Sequence, residues 1–294
     1  MTKTAFLAIV GRPNVGKSTL LNTVCGEKIA IVSNKPQTTR NRITGIYTKG
    51  EDQFVFLDTP GIHKPRTALG DYMVKTANGS IGEADAILLV IEPVPSVGDI
   101  EAGILEKIRA SKTPAILVVN KVDEHTPADI AATIAAYAAV YDFAAVVPIS
   151  AKSGKGVDAL LEEASKFLYE SVWYFPEDAV TDQPERQIAA EIIREKLLRT
   201  LNKEIPHGTA VVIEEFKEEK NIIRIRAEIS CEKASHKGII VGKNGAALKL
   251  VGTYAREDLE KFLGTKVYLN LWVKVKENWR ESAATVGNFG YRDE

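Results

Sequence analysis

Ala5-Phe6-Leu7-Ala8-Ile9-Val10 runs directly into Gly11-Arg12-Pro13-Asn14-Val15-Gly16-Lys17-Ser18, and Thr19-Leu20-Leu21-Asn22 begins the helix behind it. An apolar strand that feeds a glycine-rich loop ending in Lys-Ser predicts a phosphate cradle. Backbone N–H groups of such a loop point inward at the α- and β-phosphates, and Lys17 reaches the β/γ oxygens. The Ser18 hydroxyl is set to hold Mg²⁺, with the positive end of the helix behind it. The fold this predicts is α/β: a P-loop domain with a mostly parallel six-stranded sheet.

The base follows from a second strand. Asn120-Lys121-Val122-Asp123 ends the apolar run Ala115-Ile116-Leu117-Val118-Val119, which sets these polar side chains at the carboxyl edge of a buried parallel strand, where open α/β sheets bind ligands. The Asp123 carboxylate can accept from both the N1–H and the exocyclic amine of guanine. Adenine has no N1–H and would leave a buried acceptor unpaired, a difference worth roughly 10⁴ or more. Asn120 is expected at the guanine N7/O6 edge, with the Lys121 stem along the ring plane. A third strand, Ala144-Ala145-Val146-Val147-Pro148-Ile149, ends in Ser150-Ala151-Lys152, whose backbone N–H groups are candidates for guanine O6.

Between these lie candidate γ-phosphate sensors. Asp58-Thr59-Pro60-Gly61-Ile62 follows the strand Phe54-Val55-Phe56-Leu57, so that Asp58 can hold Mg²⁺ through water and the Gly61 N–H can touch the γ-phosphate. Pro36-Gln37-Thr38-Thr39-Arg40 occupies the switch position, ahead of the strand from Arg42 to Tyr47. Thr39 is the expected Mg²⁺ ligand, with Thr38 as the alternative. The metal set is then Ser18, Thr39 and Asp58, and the reacting-phosphate set is Asn14, Lys17, Thr39 and Gly61. Five elements in this order point to a GTPase of the translation-factor class over an ATPase or a P-loop kinase. Ile62 stands where Ras-type enzymes carry the glutamine that orients water, so charge stabilisation has to come from elsewhere.

The bulk numbers restrict the partners. A chain of 294 residues should hold about two domains. With 38 basic against 39 acidic residues the net charge is −1, so any nucleic-acid surface must be local. Cys25 and Cys231 are far apart and predict inert thiols in a reducing compartment. The four histidines, His63, His125, His207 and His236, are scattered, His63 falling in the switch segment. Met1-Thr2-Lys3 leads straight into a core strand, which predicts no signal peptide and a cytosolic protein, and apolar runs are well short of the roughly 18 residues of a membrane span.

Val157 to Leu168 has the apolar spacing of a last helix for the first domain. The prolines of Tyr174-Phe175-Pro176 and Gln183-Pro184, with acidic residues between them, predict a surface linker. The expected division is 1–172, a GTPase domain; 173–184, a linker; and 185–294, a second domain. That domain starts with a helix from Glu185 to about Lys203. Two strands follow, Thr209 to Phe216 and Ile222 to Ser230, then a helix over Ser235–Val241, the loop Gly242-Lys243-Asn244-Gly245, a helix from Ala246 to about Leu263, and a strand from Lys266 to Lys276. This α-β-β-α-(GxxG)-α-β order is that of an α+β type II KH domain, whose loop clamps the backbone of about four single-stranded nucleotides. The glycines let a phosphate approach, the N–H groups at Ala246 face it, and Lys243 adds charge. Ile240, Val241 and Leu248 are expected to wall an apolar groove, with Lys249 beside it. From Lys237 to Arg280 there are nine basic residues against four acidic ones, so the charge is local, as required.

Gly-Arg-Pro-Asn-Val-Gly-Lys-Ser, Pro-Gln-Thr-Thr-Arg, Asp-Thr-Pro-Gly-Ile-His and Asn-Lys-Val-Asp, joined to a type II KH domain, resemble the Era family of bacterial GTPases over essentially the whole chain. Asn41-Arg42 after Thr-Thr-Arg is the one small departure. The resemblance implies an assembly factor that binds GTP/GDP with Mg²⁺ and the 3′ end of small-subunit ribosomal RNA, helps mature the small ribosomal subunit, and acts as a monomer. It also implies peripheral association with the inner membrane, for which no residue pattern speaks. In GTPases that share the asparagine of the P-loop, that residue ligates K⁺ beside the phosphates, which by resemblance assigns K⁺ to Asn14. The alternative function is a GTP-dependent partner of an RNA-modifying enzyme, but the chain offers no second set of catalytic residues.

Overall fold

The structure, a computed structural model, describes residues 1–35, 37–62, 65–201 and 205–292. Pro36 of the switch stretch, His63, and Lys203 at the expected helix end lie outside the described residues. The chain divides into two compact units. The first comprises Met1–Ala30, Thr39–Pro65 and Asp71–Asp182; the second comprises Ile31–Thr38, Arg66–Gly70 and Gln183–Glu294.

In the first unit the elements are β1 (Lys3–Val10), α1 (Lys17–Cys25), β2 (Ile43–Lys49), β3 (Asp52–Asp58), α2 (Ala68–Glu83, counted here from Asp71), β4 (Ala86–Ile91), α3 (Asp99–Ser111), β5 (Ala115–Val119), α4 (Pro127–Ala138), β6 (Ala145–Pro148), α5 (Val157–Ser165) and the two-residue β7 (Tyr169–Glu170). The main sheet runs β2-β3-β1-β4-β5-β6. Its strands are parallel except β2, which forms an antiparallel hairpin with β3; β7 adds a short antiparallel pairing to β1. Every residue of β4 and β5 is buried, because helices cover both faces of a parallel sheet and leave no polar side to alternate with. Along β1 successive residues serve two cores: Leu7 and Ile9 pack with Leu20, Phe56 and Leu88, while Ala8 and Val10 pack with Leu89, Ile104 and Leu117. The loops after β1, β3, β4, β5 and β6 all leave from the carboxyl edge so formed.

Most of the expected linker packs on this unit. The buried Gln53 side chain accepts from Tyr174 N (3.0 Å) and Phe175 N (3.1 Å) and donates to Phe175 O (2.9 Å). Ile46 N donates to Val180 O and Thr181 Oγ1 to Thr44 O, so residues 173–182 cover the outer edge of β2. A sheet edge left open invites pairing with other chains, and an irregular, proline-punctuated strap closes it without forming a strand.

The second unit contains α6 (Glu185–Thr200), β8 (Ala210–Glu219), β9 (Ile222–Cys231), α7 (Ala234–Val241), α8 (Ala246–Leu263), β10 (Lys266–Val275) and α9 (Ala283–Asn288). Its sheet runs β10-β9-β8, with β8 and β9 antiparallel and β9 and β10 parallel over their full length. Along β9, Ile223, Ile225, Ala227 and Ile229 go to the core with Val251, Ala255 and Leu259 of α8, while on the other face Arg224 and Arg226 are exposed and Glu228 and Ser230 are buried. Helix α6 buries Arg194, Glu195 and Lys196, each of them paired: Arg194 with Glu191, Glu195 with Arg199, and Lys196 with Glu195 and Asp258. Beyond β10 the chain is held by Trp279, whose indole N–H donates to Gly208 O at 2.9 Å, and by a two-point ion pair of Arg280 with Glu232. Among the described residues no helix is long and apolar enough to cross a membrane.

Candidate functional site

The loop between β1 and α1 carries positive φ at Gly11 (151°), Asn14 (68°) and Gly16 (100°). A Cβ at Gly11 would lie 2.3 Å from Val90 O, and one at Gly16 would lie 2.2 Å from Asn120 Nδ2, so the glycines let the loop rest on the ends of β4 and β5. Val15 is fully buried beneath it, Asn14 is exposed, and Pro13 and Thr19 are half-buried. Arg12 gives its guanidinium to Glu92 at 2.6 Å, so its share in the cradle is its backbone. The Lys17 ammonium is buried and donates to Gly11 O (3.1 Å) and Arg12 O (3.0 Å). Burial pushes it down to about 8, against the upward pull of Asp58. A polyphosphate in the loop would push it back up, since nearby negative charge favours the ammonium.

Three oxygens meet beside it. Ser18 Oγ donates to Asp58 Oδ2 (2.6 Å) and lies 2.8 Å from Thr39 Oγ1. Thr38 Oγ1 donates instead to Lys35 O (2.6 Å), so of the two threonines it is Thr39 that joins the cluster. Asp58 Oδ1 is buried without a hydrogen-bond partner among the described residues. Burial pushes the Asp58 carboxyl up to about 6, with Lys17 and Ser18 pulling it down. Two hydroxyls and a carboxylate with an orphaned oxygen are a hard-oxygen set, and they fit Mg²⁺. Next along the chain, Thr59 is buried and locks the strand end by donating to Ile9 O (2.8 Å). Pro60 is buried too. A Cβ at Gly61 would sit 2.8 Å from Pro13 Cα, so this close approach requires glycine. Ile62 packs into the core with Ala8 and Val10, and its side chain offers nothing to a water molecule.

At the base edge, Asn120 is held by its neighbours. Its Nδ2 donates to Val15 O (2.7 Å) and its Oδ1 accepts from Ala151 N (2.9 Å), so the amide ties three loops together and only the second N–H of Nδ2 remains for guanine N7. Ser150 N donates to Lys155 O, which leaves the Lys152 N–H as the candidate donor to O6. Val122 N donates to Ile149 O, joining the second and third loops. Lys121 adopts φ 63°. Asp123 is exposed at the mouth, and the Ser150 hydroxyl holds its carboxyl below the usual range.

In the second unit, Gly242 (φ 72°), Asn244 (φ 51°) and Gly245 (φ 79°) shape the loop. A Cβ at Gly242 would meet Ala247 Cβ at 2.7 Å. Helix α8 starts at Ala246 without a side-chain cap, so its first N–H groups face the loop beside the exposed Lys243. From Gly245 an open groove of about 390 Å³ runs past Leu248, Lys249, Gly252, Thr253 and Arg256 to Leu269 and Leu271. Ile240 is not a groove wall: it is fully buried in the core, and Val241 packs half-buried against that core. Gly252, Thr253 and Arg256 share a helix face with Leu248 and Lys249, which three- and four-residue spacing could have revealed. Leu269 and Leu271 are reached only through the sheet.

A family model described as a 50S ribosome-binding GTPase matches residues 6–121, and a KH domain model matches residues 204–280. GTPase Era of Clostridioides difficile is 52% identical over 296 residues, covering 100% of both chains. GTPase Era of Clostridium kluyveri is 51% identical over 293 residues, covering 99% of this chain and 100% of the relative. Among solved structures, Era in complex with MgGDPNP and nucleotides 1506–1542 of 16S ribosomal RNA is 41% identical with a TM-score of 0.94, and a variant of Aquifex aeolicus Era bound to GDP and AlF₄⁻ is 40% identical with a TM-score of 0.94. Each covers 99% of both chains.

Proposed function

The chain belongs to the Era family of GTPases, and from that premise we propose that it is a GTP-hydrolysing assembly factor that binds the 3′ end of small-subunit rRNA and assists maturation of the small ribosomal subunit. The observation that carries this reading is the pairing, on one chain, of the Lys17–Ser18–Thr39–Asp58 cluster with the open groove behind Gly242–Gly245. The first suits a magnesium nucleotide; the second suits a single strand.

In this reading residues 1–172 bind and hydrolyse GTP and residues 185–294 bind RNA. Gly11–Thr19 wrap the phosphates, with Lys17 reaching over the loop to the β/γ oxygens. Ser18, Thr39 and Asp58 hold Mg²⁺, which when bound neutralises charge on the phosphate oxygens. Asp58 would meet the metal as the carboxylate, and the cation's charge would offset the burial that pushes this carboxyl up. The Gly61 N–H touches the γ-phosphate, and Asn120, Lys121, Asp123 and Lys152 frame the guanine. Ile62, turned into the core, offers the water no hydrogen-bonding side chain, and the exposed Asn14 amide would hold a K⁺ ion whose charge would stand in for that partner. On the RNA side, Lys243 and the α8 N–H groups grip a phosphate, while Leu248, Leu269 and Leu271 face the bases. The protein works in the cytoplasm as a monomer. Crosslinking in cells, followed by sequencing of the attached RNA, should enrich the 3′ end of small-subunit rRNA. Enrichment of another RNA class would overturn the assignment.

A further inference from the structure

Glu92, the first residue after β4, belongs to neither the phosphate loop nor the base-recognition loop, yet it grips both. Its Oε2 receives Arg12 Nη2 at 2.6 Å, and its Oε1 receives the Lys121 ammonium. Arg12 Nε also lies 3.5 Å from Oε1 of Glu101, a buried carboxylate in α3. Glu101 is itself hemmed in, since a Cβ at Gly98 would fall 2.8 Å from its Oε2. Two cations and two carboxylates thus form a neutral chain, Lys121–Glu92–Arg12–Glu101, with Glu92 the link between the two loops. Removing the Glu92 charge leaves Lys121 without its carboxylate and Arg12 with only Glu101. Burial alone would raise the Glu92 carboxyl, but Lys121 and Arg12 more than offset it and hold it below the usual range.

We propose that Glu92 is a positioning residue for guanine-nucleotide retention: one carboxylate fixes the end of Lys121, and so the stem expected along the guanine ring, and fastens that loop to the phosphate loop through Arg12. The inference rests on the guanine-nucleotide reading of the cradle. Lys121 is a long side chain on a left-handed residue, and without an anchor its stem would sample several rotamers. Anchoring it before the nucleotide arrives lowers the ordering cost of binding. Selectivity for guanine stays with Asp123, which Glu92 does not touch. Loss of Glu92 should therefore weaken all guanine nucleotides alike.

The test uses the full chain and a fluorescent GDP. Glu92→Gln keeps the shape and removes the charge, and it should release GDP about tenfold faster, the size of coupling expected within one ion-pair network. Its preference for GTP over xanthosine triphosphate and its nucleotide-free melting temperature should stay close to the parent's. Glu92→Asp should recover part of the slow release. In an Arg12→Met background the effect of Glu92→Gln should shrink, because one of its two ties is already cut. A release rate unchanged in Glu92→Gln, or a fall in melting temperature with release unchanged, would leave the pair as fold stabilisation only and overturn the proposal. If the parent itself fails to bind GDP, it is the guanine-nucleotide reading that falls.

Discussion

The nucleotide cradle keeps its two central charges, Lys17 and Asp58, out of solvent, whereas the RNA groove keeps Lys243 and Lys249 in it. In the cradle almost every polar group already has a fixed protein partner: Lys17 on two carbonyls, Asn120 between two loops, Thr59 on β1. The groove has a left-handed loop, a row of helix side chains and two strand leucines. Buried, interlocked donors suit one small ligand of fixed shape, because an ill-fitting one strands them unpaired. An open groove with solvated cations suits a polymer, whose affinity comes from phosphates and falls with salt.

The contrast breaks most visibly at the guanine edge. Asp123→Asn should lower GTP affinity by roughly 10⁴ and restore binding to xanthosine triphosphate, whose carbonyl accepts where guanine's amine donates. Undiminished GTP affinity in a direct titration would remove Asp123 from base recognition. Next in size is the ion site. GTP turnover in the presence of RNA should be faster in K⁺ than in Na⁺, and Asn14→Ala should erase a difference of roughly 10²-fold, the scale of one lost charge-stabilising contact. Equal parent rates in the two salts would exclude the cation.

On the groove side single changes should be milder. Lys249→Ala and Arg256→Ala should each weaken RNA binding several-fold, and each lost phosphate contact should lower the log–log salt slope by about 0.7. A slope unchanged in the double variant would move the phosphate track away from α8. The smallest effect concerns folding. Glu228 accepts from Ser230 Oγ at 2.7 Å and lies 3.5 Å from both Lys274 and Lys276. Burial would raise its carboxyl, but these partners hold it below its ordinary value of 4.5. The stability it adds is complete above that value and is lost as pH falls through the lower folded one. Glu228→Gln should cost about 1 kcal/mol at neutral pH and flatten the acid limb of the stability curve, measured by denaturant titration. A parent and variant that differ only above neutral pH would contradict the sign.

What could be read in the sequence divides along the same line. Each cradle loop follows an apolar strand and carries residues whose chemistry names their partner, so Lys17, Ser18, Asp58 and Asp123 were legible, and Thr39 needed only the geometry at Ser18. Strand β4 was not, because Ala86–Ile91 is buried on both faces and has neither alternation nor a motif at its end. Glu92 was hidden for the same reason, its two partners lying far away in sequence. In the second unit the helix and strand order was legible from periodicity as far as β10, with the short α9 unread, and Ile240 was misjudged because an apolar residue beside a GxxG loop reads the same on the core side and the groove side. Leu269 and Leu271 line the groove only because β10 lies beside α8, a tertiary fact. Pro176 and Pro184 announced irregular chain, and irregular chain can still be held as firmly as the strap on Gln53.

The central claim is that one chain carries two ligand sites of different chemistry, and a paired titration tests it most directly. Replacing Lys243 and Asn244 together by Asp puts two carboxylates where phosphates must sit, leaving the cradle residues untouched. The double variant should lose several kcal/mol of affinity for single-stranded small-subunit rRNA 3′-end fragments, while binding GDP and GTP as the parent does. RNA affinity equal to the parent's would put the RNA surface elsewhere, and loss of nucleotide binding would contradict the separateness of the two sites.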